Sequence, residues 1–345
     1  MRLRLSVLDQ SPIIAGAGAR EALAGSIALA KRADALGYTR YWAAEHHAFD
    51  ALASPSPEIL LARLTGETRR IRLGSGGVML PHYSALKVAE NFAMLEAMCP
   101  GRIDLGVGRA PGGGPLEAFA LRRERERGAL PDDFTEQFTE LMTWFDRGFD
   151  AGHPFHRIRW PAQGPSAAMI WLLGSSLWSS AAAAHWGLPY AFAHFFSGEP
   201  TREAITHYRE RFTPSRHHDA PYASVAVSVI CAPDAEEAQF LASSARLMRR
   251  RLHSGAGITP LLPPADAVRE LALLPDSAGS PSAGQAPEWP SLIAGTPAQV
   301  GAVLDEMAAA LHLDELHVVT ITHDLAARLR SYDLLAAHYG LQATG

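Results

Sequence analysis

Cysteine is nearly absent. Only Cys99 and Cys231 occur in 345 residues, far apart, so no disulfide framework and no cysteine-based metal spacing can be read. No run of about 18 apolar residues occurs, which argues against a membrane span. Charge of one sign is also lacking: the net charge is -5, and this excludes a general nucleic-acid binder and a polybasic membrane surface. Two basic clusters exist, Arg122 to Arg127 and Arg249 to Arg251. The first alternates with Glu124 and Glu126 and reads as a solvated surface. Met1 to Gln10 has no long apolar region and no small-residue cleavage site, so it reads as a first strand rather than a leader, and a cytoplasmic protein is expected. No short repeat is evident.

What is present is globular material. Hydrophobic residues make up 48% of the chain and charged residues 19%, ample for one large core. Short apolar runs alternate with helical segments almost from end to end. Strands are expected at Leu3 to Leu8, Tyr38 to Ala43, Ile71 to Leu80, Ile103 to Val107, Met169 to Leu173, Pro189 to Ala193, Ala223 to Ile230 and Glu315 to Ile321. Between them lie helical patterns, such as Arg20 to Leu36 with Leu23, Ile27, Ala30 and Ala33 on one face and Gly37 as its stop. Eight strands joined by helical crossovers predict a (β/α)8 barrel in one domain. The pattern loosens over Ala110 to Pro131 and Pro154 to Pro165. Ser254 to Ser291, rich in Pro, Gly, Ser and Ala, reads as a lid-like loop or a linker.

In such a barrel the chemistry belongs where strands end. Four clusters fall there. Glu45-His46-His47 follows the second strand, and a histidine can act as general acid or base. Its bland reading is a hydrogen-bonded loop, and a metal reading lacks a third ligand at useful spacing. Gly74-Ser75-Gly76-Gly77 marks either a tight corner or a wall free of side chains, against which a flat ring can lie. Gly106-Val107-Gly108-Arg109 fails the dinucleotide fingerprint, because Pro111 holds the third glycine position. It reads instead as a strand end that delivers Arg109 to an anion or to a surface ion pair. Gly174-Ser175-Ser176-Leu177-Trp178-Ser179 opens a helix, as a phosphate cradle or as ordinary capping. Together the four describe a barrel mouth that fits a flavin mononucleotide.

These stretches resemble the luciferase-like flavin monooxygenases, in their single-gene bacterial oxidoreductase branch. The likeness runs from about Leu3 to Gly340. Its strongest segments are Trp42 to His47, Ile71 to Pro81, Pro100 to Arg109 and Trp171 to Ser176, followed by Ala294 to Pro297 and Thr322 to Asp324. The resemblance implies a flavin-facing histidine at His46 and a non-prolyl cis peptide at Gly76-Gly77. It implies phosphate contacts from Arg109, Ser176 and Ser179, and a mobile loop after Ser254. Ser175 and Gly108 belong to the same expected flavin site. At Gly108 the luciferase α subunit has a cysteine under the flavin, and at Ser175 it has a glutamate, so light emission with a long-chain aldehyde is not implied. The implied reaction uses reduced FMN as cosubstrate and dioxygen to oxygenate a small organic substrate, with an aldehyde among the candidates. A separate flavin reductase and a homodimer are further implications. The rival readings are a deazaflavin hydride-transfer enzyme of the same superfamily, a non-catalytic flavin binder and a metal-dependent hydrolase built on His46 and His47.

Overall fold

The computed structural model describes residues 3–121, 133–146, 148–159, 167–255, 257–274 and 287–342. The basic cluster Arg122 to Arg127 lies outside them. The first half of the chain runs β1 (Arg4–Asp9), α1 (Ala19–Leu36), β2 (Arg40–Ala43), α2 (Pro57–Thr65), β3 (Arg72–Ser75), β4 (Val78–Met79), α3 (Ala85–Met98), β5 (Ile103–Gly108), α4 (Pro115–Leu121) and α5 (Phe134–Phe145). The second half runs β6 (Met169–Gly174), α6 (Leu177–Trp186), β7 (Tyr190–Ala193), α7 (Thr201–Glu210), β8 (Ala223–Cys231), α8 (Ala235–His253), α9 (Pro264–Leu273), β9 (Leu292–Gly295), α10 (Pro297–Leu311), β10 (Glu315–Val319) and α11 (Leu325–His338).

Every ladder is parallel. β1 sits between β10 and β2, with Val7 opposite Val318 on one side and Tyr41 on the other. Pairing continues through β3, β5, β6, β7 and β8, and β8 pairs β10 to close an eight-stranded barrel. This is the expected (β/α)8 architecture. Strands covered on both faces read as continuous apolar runs, and β2, β8 and β10 are buried along their full length.

The structure also departs from the sequence reading. The expected strand Ile71 to Leu80 is divided: β3 stops at Ser75, the Gly76–Gly77 peptide is cis, and β4 resumes along β5. The segment Ser254 to Ser291, read as loop, contains the helix α9, which lies on α8; the Ser243 and Ser244 hydroxyls bond the Pro264 and Leu262 carbonyls. Leu261 is laced to the loop after β1 through bonds to Ile13 and Ala15. An unforeseen strand, β9, extends the upper half of β8 above the barrel, with Leu292 opposite Ser228 and Gly295 opposite Cys231.

The amino end of the barrel is plugged by charge. Arg40, at the start of β2, donates to Asp104 at 2.8 Å and to Glu315 at 3.0 Å. Arg72 donates to Asp104 at 2.6 Å, and the Trp42 indole donates to the same carboxylate at 3.1 Å. Ser6 and Tyr222 donate to Glu315. Burial disfavours the charge on Arg40, but Asp104 and Glu315 outweigh it and keep the guanidinium ionised. Above this plug His317 stacks on Trp42 at 4.0 Å and shares a 2.7 Å bond with Ser224.

Candidate active site

The carboxyl ends of the strands bring the expected clusters to one end of the barrel. After β2 the chain divides its three polar residues between two tasks. Glu45 is fully buried and accepts from His47 Nε2 at 2.7 Å, from the Tyr83 hydroxyl at 2.9 Å and from the Met79 amide at 3.1 Å. Burial raises its pKa, against the pull of those donors. Glu45 and His47 therefore fasten the loop after β2 to β4, and the His47 amide also holds the Gly112 carbonyl. No group of three His, Cys, Asp or Glu side chains placed to hold a metal occurs among the described residues.

His46 points elsewhere. Its amide donates to the Ser54 carbonyl at 2.9 Å, while its Nδ1 is buried without a hydrogen-bond partner among the described residues. Burial, helped by the nearby His47, lowers its pKa from 6.5 to about 4. The ring is neutral at pH 7 and offers a base or a neutral donor, not an imidazolium. A buried ring nitrogen left unpaired costs free energy until something meets it, so this atom fits a ligand contact.

The glycines of the second cluster pack against the barrel itself. A Cβ on Gly77 would lie 2.7 Å from Leu173 and 2.8 Å from the Gly106 carbonyl oxygen. A Cβ on Gly74 would meet Asp104 and Trp42 at 2.7 Å, and one on Gly76 would strike Leu8. Gly106 faces the Ser75 carbonyl in the same way. The smoothness of this wall is thus a close-packing requirement between neighbouring strands. Gly108 differs: an added Cβ would find only Met79 sulfur at 3.5 Å and the Val78 carbonyl at 3.9 Å, ordinary contact distances.

Arg109, just past β5, lays its guanidinium over the Trp178 ring at 4.4 Å. Trp178 is in the first turn of α6, so the strand end and the helix start meet there. Ser176 caps α6, its hydroxyl accepting from the Ser179 amide at 3.4 Å. The Ser179 hydroxyl is turned inward, donating to the Ser176 carbonyl at 2.7 Å and sitting 2.9 Å from the Tyr190 hydroxyl. Ser179 is buried, so it shapes the turn, whereas Ser175 and Ser176 are more open. The first-turn amides of Leu177 and Trp178 have no intrahelical acceptor within reach. With Arg109 they form a cradle suited to phosphate.

The mouth between His46 and this cradle is apolar. Leu8, Ala44, Ile230 and Ile321 belong to one cluster that Ile14, Leu173 and Phe195 extend. His323, after β10, has a buried Nε2 without a partner among the described residues. Sequence reasoning did not single out Trp178 as the support for Arg109. A large aromatic two residues into a serine-opened helix was the available signal.

A family model for luciferase-like monooxygenases matches residues 1–313. The chain belongs to the luciferase-like monooxygenases. A luciferase-like monooxygenase of Escherichia coli (strain K12) is 38% identical over 335 residues, covering 96% of both chains. The crystal structure of apo-MsnO8 superposes with a TM-score of 0.87 at 42% identity, over 99% of each chain. At 20% identity the fold extends to the oxygenating constituent of 3,6-diketocamphane monooxygenase from Pseudomonas putida, solved with FMN (TM-score 0.71, 97% of each chain). Luciferase-like monooxygenases are flavin-dependent oxidoreductases, and the cis Gly76–Gly77 peptide expected from the resemblance is present. No helix among the described residues is long and apolar enough to cross a membrane.

Proposed function

We propose that the protein binds FMN, in reduced form as a cosubstrate, and uses dioxygen to oxygenate a small organic substrate at the carboxyl end of the barrel. One observation carries the reading: Arg109 converges with the α6 amino terminus at the same end of the barrel where His46 keeps an unpaired buried nitrogen. The cradle suits the FMN phosphate, with Arg109, Ser175, Ser176 and the Leu177 and Trp178 amides as its donors, and Ser179 holding the turn. Reduced flavin, when bound, supplies the electrons that activate dioxygen. Gly76, Gly77 and Gly108 form the backbone floor for the ring. Neutral His46 is placed to hold or accept a proton at the reacting end. The apolar mouth excludes water. A separate flavin reductase and a homodimeric assembly belong to the same proposal.

His46→Ala tests it. The variant is expected to keep FMN affinity within about twofold while substrate oxygenation falls about 100-fold and hydrogen peroxide release rises. Titration with FMN, FAD and a deazaflavin, followed by oxygen consumption, separates the reading from its rivals. Preference for the deazaflavin without oxygen uptake would replace it with hydride transfer. Equal coupling in parent and variant would leave His46 structural and favour a non-catalytic binder. Light scattering that reports a monomer at micromolar concentration would remove the dimer.

A further inference from the structure

The buried or half-buried arginines inside the barrel and beside β1 meet carboxylates. Arg40 meets Asp104 and Glu315, Arg72 meets Asp104, and Arg328 meets Asp9 at 2.6 Å. Arg249, near the end of α8, is different. It is half-buried, and its hydrogen-bond partners among the described residues are neutral: Nη1 donates to the Ser291 carbonyl at 3.1 Å and Nη2 to the Ser291 hydroxyl at 2.8 Å. It makes no ion pair among the described residues. Burial lowers its pKa with no carboxylate to oppose the effect. These two bonds use only part of a guanidinium's five donors. The side chain is of intermediate exposure, so part of it stays open to solvent.

Its neighbours place it at the rim. Met248, the preceding residue, and Leu292, which follows Ser291, both pack on the apolar cluster of the mouth with Leu8, Ile230 and Ile321. His194, just past β7, donates from Nε2 to the Pro290 carbonyl at 3.3 Å and feels the charge of Arg249. Arg249 thus stands over β8 and β9, three strands around the barrel from Arg109 at the end of β5. The phosphate cradle and this second cation are separate.

We propose that Arg249 recognises an anionic group of the substrate, a carboxylate, and so sets the substrate class as small apolar acids. The inference rests on the monooxygenase reading above and adds the identity of the substrate's polar end. A carboxylate matches the planar guanidinium fork and supplies a counter-charge that none of the described residues provides. An apolar tail would then extend into the mouth.

Calorimetric titration of the full chain with hexanoate and with hexanamide tests this, with and without bound FMN. The parent is expected to bind hexanoate at least tenfold more tightly than hexanamide. Arg249→Met is expected to abolish that preference, and Arg249→Lys to keep part of it, with FMN affinity unchanged in both. A purely structural tie to Ser291 would leave the acid-over-amide ratio unmoved. Equal binding of the two probes by the parent, or an undiminished preference in Arg249→Met, overturns the proposal. FMN affinity is read in the same samples. If FMN fails to bind while the acid preference still depends on Arg249, the anion site stands and the flavin reading falls. If FMN binds and the preference is absent, only the anion site falls.

Discussion

The two ends of this barrel treat polar groups in opposite ways. At the amino end, Arg40, Arg72, Asp104 and Glu315 satisfy one another, with Trp42, Ser6 and Tyr222 filling the remaining positions. At the carboxyl end, His46 Nδ1 and His323 Nε2 are buried and unpaired, and Arg249 has no carboxylate partner among the described residues. A saturated network resists insertion of anything else and rigidifies the fold. Unsatisfied groups lower stability, and a fold retains them where a ligand repairs the deficit. The comparison therefore separates the end that maintains the barrel from the end proposed to act.

The largest effect belongs to the saturated end. Asp104→Ala removes the shared acceptor of Arg40, Arg72 and Trp42 and should destabilise the protein by about 4 kcal/mol, read by urea unfolding. The folded fraction should bind FMN as the parent does; a parallel loss of FMN affinity would break the division between the ends. Gly77→Val comes next, at about 3 kcal/mol of stability, because its Cβ would press on the Gly106 carbonyl and Leu173. Parental stability combined with lost FMN binding would instead place the added side chain against the ring rather than against Leu173 and Gly106. Arg109→Ala should leave unfolding unchanged and weaken FMN by about 2 kcal/mol, roughly 30-fold. Unchanged calorimetric affinity takes Arg109 out of the cradle.

The last effect is graded with pH. His46 and His317 have folded pKa values near 4, against 6.5 for the ordinary side chain. Between those values the unfolded chain binds protons that the folded chain refuses, so stability falls as pH drops from 6.5 toward 4. The slope is about 1.4 kcal/mol per pH unit for each ring. Urea midpoints measured from pH 7 to pH 4.5 should show a shallower slope in His46→Gln. Saturating FMN should steepen it in the parent if the neutral ring contacts the cofactor. Identical slopes with and without FMN would sever His46 from the ligand.

The barrel was legible because parallel strands buried on both faces must be apolar throughout, and eight such runs stand out between helical patterns. Arg40 and Asp104 lie inside two of those runs. A charge within a buried strand needs a partner, and that signal was available, but not the identity of partners 64 positions apart. β9 escaped because four residues after Pro290 carry too little periodicity to distinguish a strand from a loop. α9 escaped because its apolar face sits in a segment dominated by Pro, Ser and Ala. At the site, sequence order placed His46, Arg109 and the serine turn at strand ends, and they are found there. It did not reveal that Ser179 faces Tyr190, nor that His47 is held by Glu45, since adjacent residues diverge by a local turn of the backbone.

Gly108 gives the mouth a point of chemical freedom. Gly74, Gly76, Gly77 and Gly106 are locked by the strands beside them, but Gly108 tolerates a side chain at ordinary contact distances from Met79 and Val78. The strand end can therefore be rewritten without rebuilding the scaffold. A cysteine installed there would carry a covalent probe or a tethered cofactor analogue directly beside Arg109. The same latitude lets one barrel diversify its reactivity through a single small residue while its ionic foundation stays untouched.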